Sequence, residues 1–296
     1  MMEELERAQA RLDHIRTVEP ILSALRTISL GSWRATLKQR TGVQRYGKRL
    51  AVILPLLAPY LPIGRRARRE TSPTSRVVAL VIGSERGLCG RFNMAVVERA
   101  ERYLIEQETA GVQVELMALG TRVRRIFQRH KRPLAWSGAL SIAALPPFHL
   151  AFDLTRRWLV RYEERELDAV DLVYNAYHGT GHYEPTVVRL IPPQLPPDGQ
   201  NSLSEPWPPP IIETDPLSLY AHVVGQWAAV SLYGLLLDSA AAEHATRYQI
   251  MESATQNANR LIEELTLAVQ AARRHAITRE MQELAAGAGL IGSRSS

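Results

Sequence analysis

The chain has 296 residues, a single cysteine, and a formal net charge of +6 from 36 Lys and Arg against 30 Asp and Glu. That length holds one large domain or two modest ones, and the lone Cys89 excludes an internal disulfide or a cysteine-only zinc site and fits a reducing compartment. A sequence pI of about 9.7 points to acidic protein, nucleic acid or anionic lipid as a partner. Nearly all of the basic charge is arginine, since Lys38, Lys48 and Lys131 are the only lysines. Arginine makes forked contacts with carboxylates and phosphates.

The N-terminus, MMEELERAQARL, is charged from Glu3 onward and has no apolar signal-peptide core. Leu5, Ala8, Leu12, Ile15, Val18, Leu22 and Leu25 then recur at steps of three and four, the period of one helix face. Pro20 lies inside this run and predicts a kink or break, because proline lacks the backbone donor. Pro55, Pro59 and Pro62 are expected to end the segment, and the loop GRRARRETSPTS follows.

The middle of the chain alternates strands and helices. RVVALVI, VQVELMAL, VDLVYNAY and YEPTVVRLIPP read as strands. NMAVVERAERYLIEQ, TRVRRIFQRH and FHLAFDLTRRWLVRYEEREL read as helices. Such alternation predicts a mostly parallel, doubly wound sheet. QLPPDGQNSLSEPWPPP reads as a linker.

From about Asp215 to Gly287 there is no proline after Pro216, which predicts a helix of about 70 residues. From Pro216 to Leu237 it carries no Asp, Glu, Lys or Arg, near the length of a membrane span. Its histidine, glutamine, serines and glycines favour a buried helix instead, with no transmembrane segment. Further on, Met251, Ala254, Ala258, Leu261, Leu265, Ala268 and Ala272 repeat in 3-4 steps, a heptad seam whose alanines permit close approach. The N-terminal helix is its natural antiparallel partner. The expected fold is therefore α/β: a long antiparallel coiled coil of the N- and C-terminal helices with an inserted Rossmann-like α/β domain. The boundaries are a coiled-coil helix at 1–60, the α/β domain at 75–193, a Pro-rich linker at 194–214 and the second coiled-coil helix at 215–288.

Four stretches carry chemistry-bearing residues, and none reads as a catalytic, cofactor or metal site. GVQRYGKR has the glycine and lysine spacing of a phosphate loop at Gly42, Gly47 and Lys48, but Arg49 stands where a hydroxyl must hold Mg²⁺ and no strand leads in. GSERGLCGRFN lies between a strand and a helix, where Gly83, Gly87 and Gly90 could expose backbone donors to an anion, yet the spacing is not G-x-G-x-x-G. HGTGHYE brings His178, His182 and Glu184 together and reads as a hairpin turn rather than a metal cluster. Arg65, Arg66, Arg68 and Arg69 have no interleaved aromatics, so no nucleic-acid site is expected.

Three segments, two on the C-terminal helix and one at the glycine turn, carry a family resemblance. AAEHATRYQIMESATQNA resembles the pattern S-E-H-x-A-R-M-x-A-M-x-x-A-T-x-N-A of F-type ATP synthase gamma subunits through Glu243, His244, Arg247, Met251, Ala254, Thr255, Asn257 and Ala258. RRHAITREMQELAAGA resembles the same family's R-Q-x-x-I-T-x-E-I-x-E-I-x-x-G-A through Arg273, Ile277, Thr278, Glu280, Glu283, Gly287 and Ala288. SERGLCGRFN is similar to its D-R-G-L-C-G-G-F-N, keeping Arg86, Gly87, Leu88, Cys89, Gly90, Phe92 and Asn93. The departures are Pro20, Leu25, Ser32, Glu85, Arg91 and Arg274, at positions that the family fills with Lys, Met, Lys, Asp, Gly and Gln.

The resemblance implies a non-catalytic central-stalk rotor that couples ion flow through a membrane sector to ATP synthesis or hydrolysis in a catalytic head. It implies alpha, beta, epsilon and membrane-ring c subunits as partners, no nucleic acid, no cofactor, and a peripheral position at the cytoplasmic face of the cell membrane. Arg273, Arg274, Thr278, Glu280 and Glu283 are the expected partner contacts. The alternatives are a gamma-like paralogue acting as a structural adaptor, and a small nucleotide-binding enzyme using the glycine turn.

Overall fold

β1 (Arg76–Ile82) is buried along nearly its whole length, with Val78, Leu80 and Ile82 on one face of its sheet and Ala79 and Val81 on the other. It anchors the computed structural model of the chain, which describes residues 2–57, 75–141, 145–193 and 211–287. The arginine loop at 65–69, Pro59, Pro62, Ala288 and residues 194–210 of the expected linker lie outside the described residues.

The remaining elements are α1 (Met2–Leu57), α2 (Phe92–Thr109), β2 (Gln113–Leu119), α3 (Thr121–Arg129), β3 (Trp136–Gly138), α4 (Phe148–Glu163), β4 (Ala169–Gly179), β5 (His182–Ile191) and α5 (Pro216–Gly287). The strands form one sheet in the order β3-β2-β1-β4-β5, parallel except for the β4–β5 hairpin. Gly179 and Gly181, both at positive φ, make its tight turn, so HGTGHYE is the hairpin expected from its glycines. α2 and α3 cover one face of the sheet through Val96, Val97, Tyr103 and Phe127. α4 and α5 cover the other through Leu154, Trp158, Leu232 and Leu236. Helices on both faces make the doubly wound arrangement that the alternation predicts.

The chain divides into two compact units, one of Met1–Ile28 with Tyr248–Ser296 and one of Ser29–Arg247. In the first, the α1 stripe is the buried or half-buried one, from Leu5 through Leu12 to Leu25. Arg26 and Glu252 pair across it at 3.2 Å. On α5 the expected seam is buried or half-buried at Met251, Ala254, Ala258, Leu261, Leu265 and Ala272, while Ala268 is exposed and Thr255 and Val269 are buried beside it. The larger apolar Val269 gains more from burial than a methyl does.

In the second unit, contacts rise along α1 as they fall along α5, which defines an antiparallel pair. Arg40 meets Asp238, a Cβ on Gly234 would lie 3.7 Å from Val43, and one on Gly47 would lie 3.4 Å from Val230. Leu54 and Leu57 then cluster with Val223.

α1 carries no break at Pro20, and it passes through Pro55 to Leu57, where the reading from the prolines ends the segment. A helix-interior proline costs about 3 kcal/mol. Leu54 and Leu57, each 2% exposed, recover roughly 1.5–3 kcal/mol apiece by burial. Tertiary pairing therefore outweighs the missing donor. The uncharged stretch of α5 has the length and composition of a membrane span, but its Leu232, Tyr233, Leu236 and Leu237 are buried against the sheet.

Candidate functional site

In an open α/β sheet, ligands bind outside the carboxyl ends of the strands where the winding reverses. Here that point lies between β1 and β4, which pair in parallel while their following connections diverge. In this chain α5 lies across it. Arg247 of α5 meets the turn after β1, and Asp238 of α5 meets β4 near its end.

The turn after β1 is closed on itself. The Ser84 amide donates to Asn93 Oδ1 at 2.9 Å, Asn93 Nδ2 donates to Ser84 Oγ at 2.8 Å, and Ser84 Oγ donates to the Arg86 carbonyl at 2.6 Å. Cys89 is 2% exposed, and burial pushes its thiol above the usual range, so it is a packed thiol rather than a reactive one. Burial also pushes the Glu85 carboxyl up, but bonds from Thr121 and the Leu140 amide outweigh it and hold the group below its ordinary value. Glu85 thereby ties the turn to the start of α3 and to the loop after β3.

Onto this turn α5 presents a buried ion pair. Arg247 Nη2 lies 2.5 Å from Glu243 Oε1, one helical turn away. Arg247 also donates to the Gly87 carbonyl at 3.2 Å and to the Arg86 carbonyl at 3.4 Å. Burial pushes the Glu243 carboxyl up, and Arg247 opposes that shift. Beside them burial, reinforced by Arg247, pulls the His244 imidazole down to about 4, so it is neutral at physiological pH. Two of the segments that carry the family resemblance, 84–93 and the stretch around 243–247, are thus brought into direct contact. What remains between them is a cleft of about 30 Å³ beside Ser141 and Pro146, room for one or two waters. A nucleotide does not fit a crevice already filled by the chain's own helix, and the enzyme reading loses its site.

A second joint lies on Asp238, which bounds the uncharged stretch and carries no role in the sequence reading. Arg40 Nε approaches its Oδ1 at 2.7 Å, and the Tyr177 amide donates to its Oδ2 at 3.2 Å. Burial pushes this carboxyl up, and Arg40 pulls against that. Sequence reasoning also missed Asp171, which accepts from Tyr103 Oη at 2.5 Å and takes both arms of Arg189 at 2.8 and 2.9 Å, locking β4 to α2 and β5. The signal available for both was an acid embedded among apolar residues, which must be paired.

The other sequence candidates separate cleanly. Lys48 and Gly42 are exposed on a continuous helix, so GVQRYGKR forms no phosphate loop. His178 lies 3.5 Å from Glu184 on the hairpin, and the described residues contain no group of three or more potential metal ligands. Arg91, one of the departures, makes an exposed 3.1 Å pair with Glu98. Arg273, Arg274, Thr278, Glu280 and Glu283 are all exposed on the last turns of α5. Two of them are used locally: Glu283 pairs with Arg279 at 2.8 Å, and Thr278 donates to the Arg274 carbonyl at 2.9 Å. Ile277, Met281 and Leu284 interleave with them at 50%, 66% and 72% exposure. Counting back from Arg26 to Met2, and forward equally from Glu252, reaches Ala276, so α5 from Ile277 onward runs past the start of α1.

The family described as ATP synthase matches residues 4–289. The chain is 31% identical over 302 residues to an ATP synthase gamma chain from Anaeromyxobacter sp. (strain Fw109-5), covering 97% of this chain and 99% of the relative. It is 29% identical to the ATP synthase gamma chain of Solibacter usitatus, with 94% and 96% covered. Its fold is similar to a chain of the Euglena gracilis mitochondrial ATP synthase OSCP/F1/c-ring structure, at TM-score 0.62, 14% identity and 100% and 98% coverage. A chain of the Tetrahymena thermophila mitochondrial ATP synthase central stalk/c-ring structure is similar at TM-score 0.59 and 21% identity, with 79% and 99% covered. With two of its signature segments in contact at the joint and a match along nearly all of its length, the chain belongs to the ATP synthase gamma chain family.

Proposed function

We propose that this chain is the central-stalk rotor of an F-type ATP synthase, turning with ion flow through the membrane sector and driving ATP synthesis or hydrolysis in the catalytic head. It makes no bond itself. The observation that carries the reading is the ligand crevice of the sheet occupied by α5, which turns a nucleotide-binding architecture into a mount for a shaft. The gamma-chain relatives and the central-stalk structures support it.

In this reading residues 1–60 and 215–288 are the shaft, 75–193 the foot domain and 194–214 its linker. The tip of α5 turns inside a ring of alpha and beta subunits. Ile277, Met281 and Leu284 supply apolar bearing surface, and Arg273, Arg274, Thr278, Glu280 and Glu283 flank it with polar contacts. The foot domain sits with epsilon and the c ring at the cytoplasmic face of the cell membrane. Each rotor angle presents a different face to each catalytic site, and differential contact shifts nucleotide affinity there.

The test is co-expression with the same organism's alpha, beta and epsilon subunits. The expected outcome is a complex whose ATP turnover requires this chain, and whose assembly is lost in the triple variant Ile277→Glu, Met281→Glu, Leu284→Glu while the isolated chain keeps its helicity. No complex with the native chain sinks the rotor reading. Assembly undiminished by the triple variant sinks the assignment of the tip.

A further inference from the structure

α1 and the α/β domain meet at a polar joint on α5. Most of the contact between α5 and the sheet is apolar, through Leu232, Leu236 and Leu237. Apolar contact is non-directional and resists separation better than sliding. Asp238 is different. It sits on α5, receives Arg40 from α1 at 2.7 Å, and accepts the amide of Tyr177 from β4 at 3.2 Å. The Arg40 guanidinium also lies over the Tyr177 ring, 5.8 Å from its centroid, and Trp33 of α1 meets that ring edge-on at 6.4 Å. Two shaft helices and a central strand therefore converge on one carboxylate that is 7% exposed. His178, next along β4, faces the same carboxylate. A twist of α1 about α5, or of either helix against the sheet, changes these distances directly.

We propose that Asp238 and Arg40 are the positioning residues that transmit torsion between the helix pair and the α/β domain. A part-buried ion pair adds little net stability over a well-packed apolar pair, but one carboxylate that holds a cation from α1 and an amide from β4 ties all three elements to one register. Such fixity is what a shaft mounted on a slippery apolar seam otherwise lacks. This inference rests on the rotor reading above.

The test uses the whole ATP synthase in sealed vesicles, measuring ATP hydrolysis and ATP-driven ion uptake on the same preparation. Asp238→Asn keeps the shape of the side chain and removes its charge, and Arg40→Met keeps the aliphatic stem. In either variant, ion uptake per ATP hydrolysed is expected to fall at least about five-fold while hydrolysis stays within about two-fold. Arg40→Lys, which restores the charge on a differently shaped headgroup, is expected to recover part of the loss. An unchanged uptake-to-hydrolysis ratio overturns the proposal, and so does a parallel fall of both activities, which marks a purely structural pair. Should Asp238→Asn fail to assemble, the two Arg40 variants decide the matter alone. If hydrolysis by the unmodified complex does not depend on this chain, the rotor reading has failed instead.

Discussion

Arg247→Met isolates the joint between α5 and the glycine turn. The substitution keeps most of the side-chain volume and removes the guanidinium that pairs with Glu243 at 2.5 Å and donates to the carbonyls of Gly87 and Arg86. The side chains of Arg247 and Glu243 are only 9% and 12% exposed, so solvent cannot replace the lost partner. Removing one member of a buried pair costs about 3–5 kcal/mol, because the other charge is left buried and unpaired. For a folded unit of this size each kcal/mol lowers the melting midpoint by about 2–4 °C, so a fall of roughly 6–20 °C is expected. Glu243→Gln in the Arg247→Met background then removes the stranded carboxylate and restores part of the loss. The assay is a double-mutant cycle of thermal melts and urea titrations on the isolated chain, followed by circular dichroism. A single-variant loss below about 1 kcal/mol, or strictly additive losses, refutes the joint as an interdependent unit.

Two further predictions follow the same geometry. The imidazole of His244 is pulled from its ordinary 6.5 to about 4 in the folded chain, so the unfolded chain takes up the proton first as pH falls. Its contribution is intact above pH 6.5 and declines progressively toward about 4, by up to about 3 kcal/mol, with the raised Glu243 carboxyl working in the opposite sense. His244→Gln is therefore expected to lose less stability than the native chain between pH 6.5 and 5, read by urea midpoints; parallel profiles contradict the buried neutral imidazole. Gly42→Ala meets nothing within 4 Å and should stabilise α1 by about 1 kcal/mol. Gly120→Ala, at φ +107° with the Gly83 carbonyl 2.8 Å from the new methyl, should destabilise the chain, and melts of the two variants shifting the same way would contradict these placements.

Much of this architecture was legible in the sequence because its signals are periodic. The α1 stripe from Leu5 to Leu25 and the four longer strands announce themselves by spacing alone. β3 did not, since Trp136, Ser137 and Gly138 are too few to show alternation. Pro20 misled as a break, since α1 stays helical through it, whereas Pro55 lies at the helix end that the prolines predict, beside buried Leu54 and Leu57. The α5 seam was read except at Ala268 and without its buried neighbours Thr255 and Val269. Where Ala254 or Thr255, and Ala268 or Val269, compete for the same interface, periodicity cannot choose, and only the rotation of the helix decides. The joint residues Glu243 and Arg247 were visible as part of a resemblance, without a role. Arg40, Asp238 and Tyr177 have no sequence proximity, so their convergence required the fold.

The most direct test of the rotor reading is single-molecule rotation. Cys89 is buried and is the chain's only cysteine, so Cys89→Ala with a new cysteine at exposed Arg129 gives one attachment point on the α/β domain. With the catalytic head of the same organism's enzyme fixed to a surface, a bead at this site is expected to rotate in one direction when ATP is supplied and to stop when it is withdrawn. Sustained ATP turnover by the assembled complex with the bead stationary would contradict the rotor.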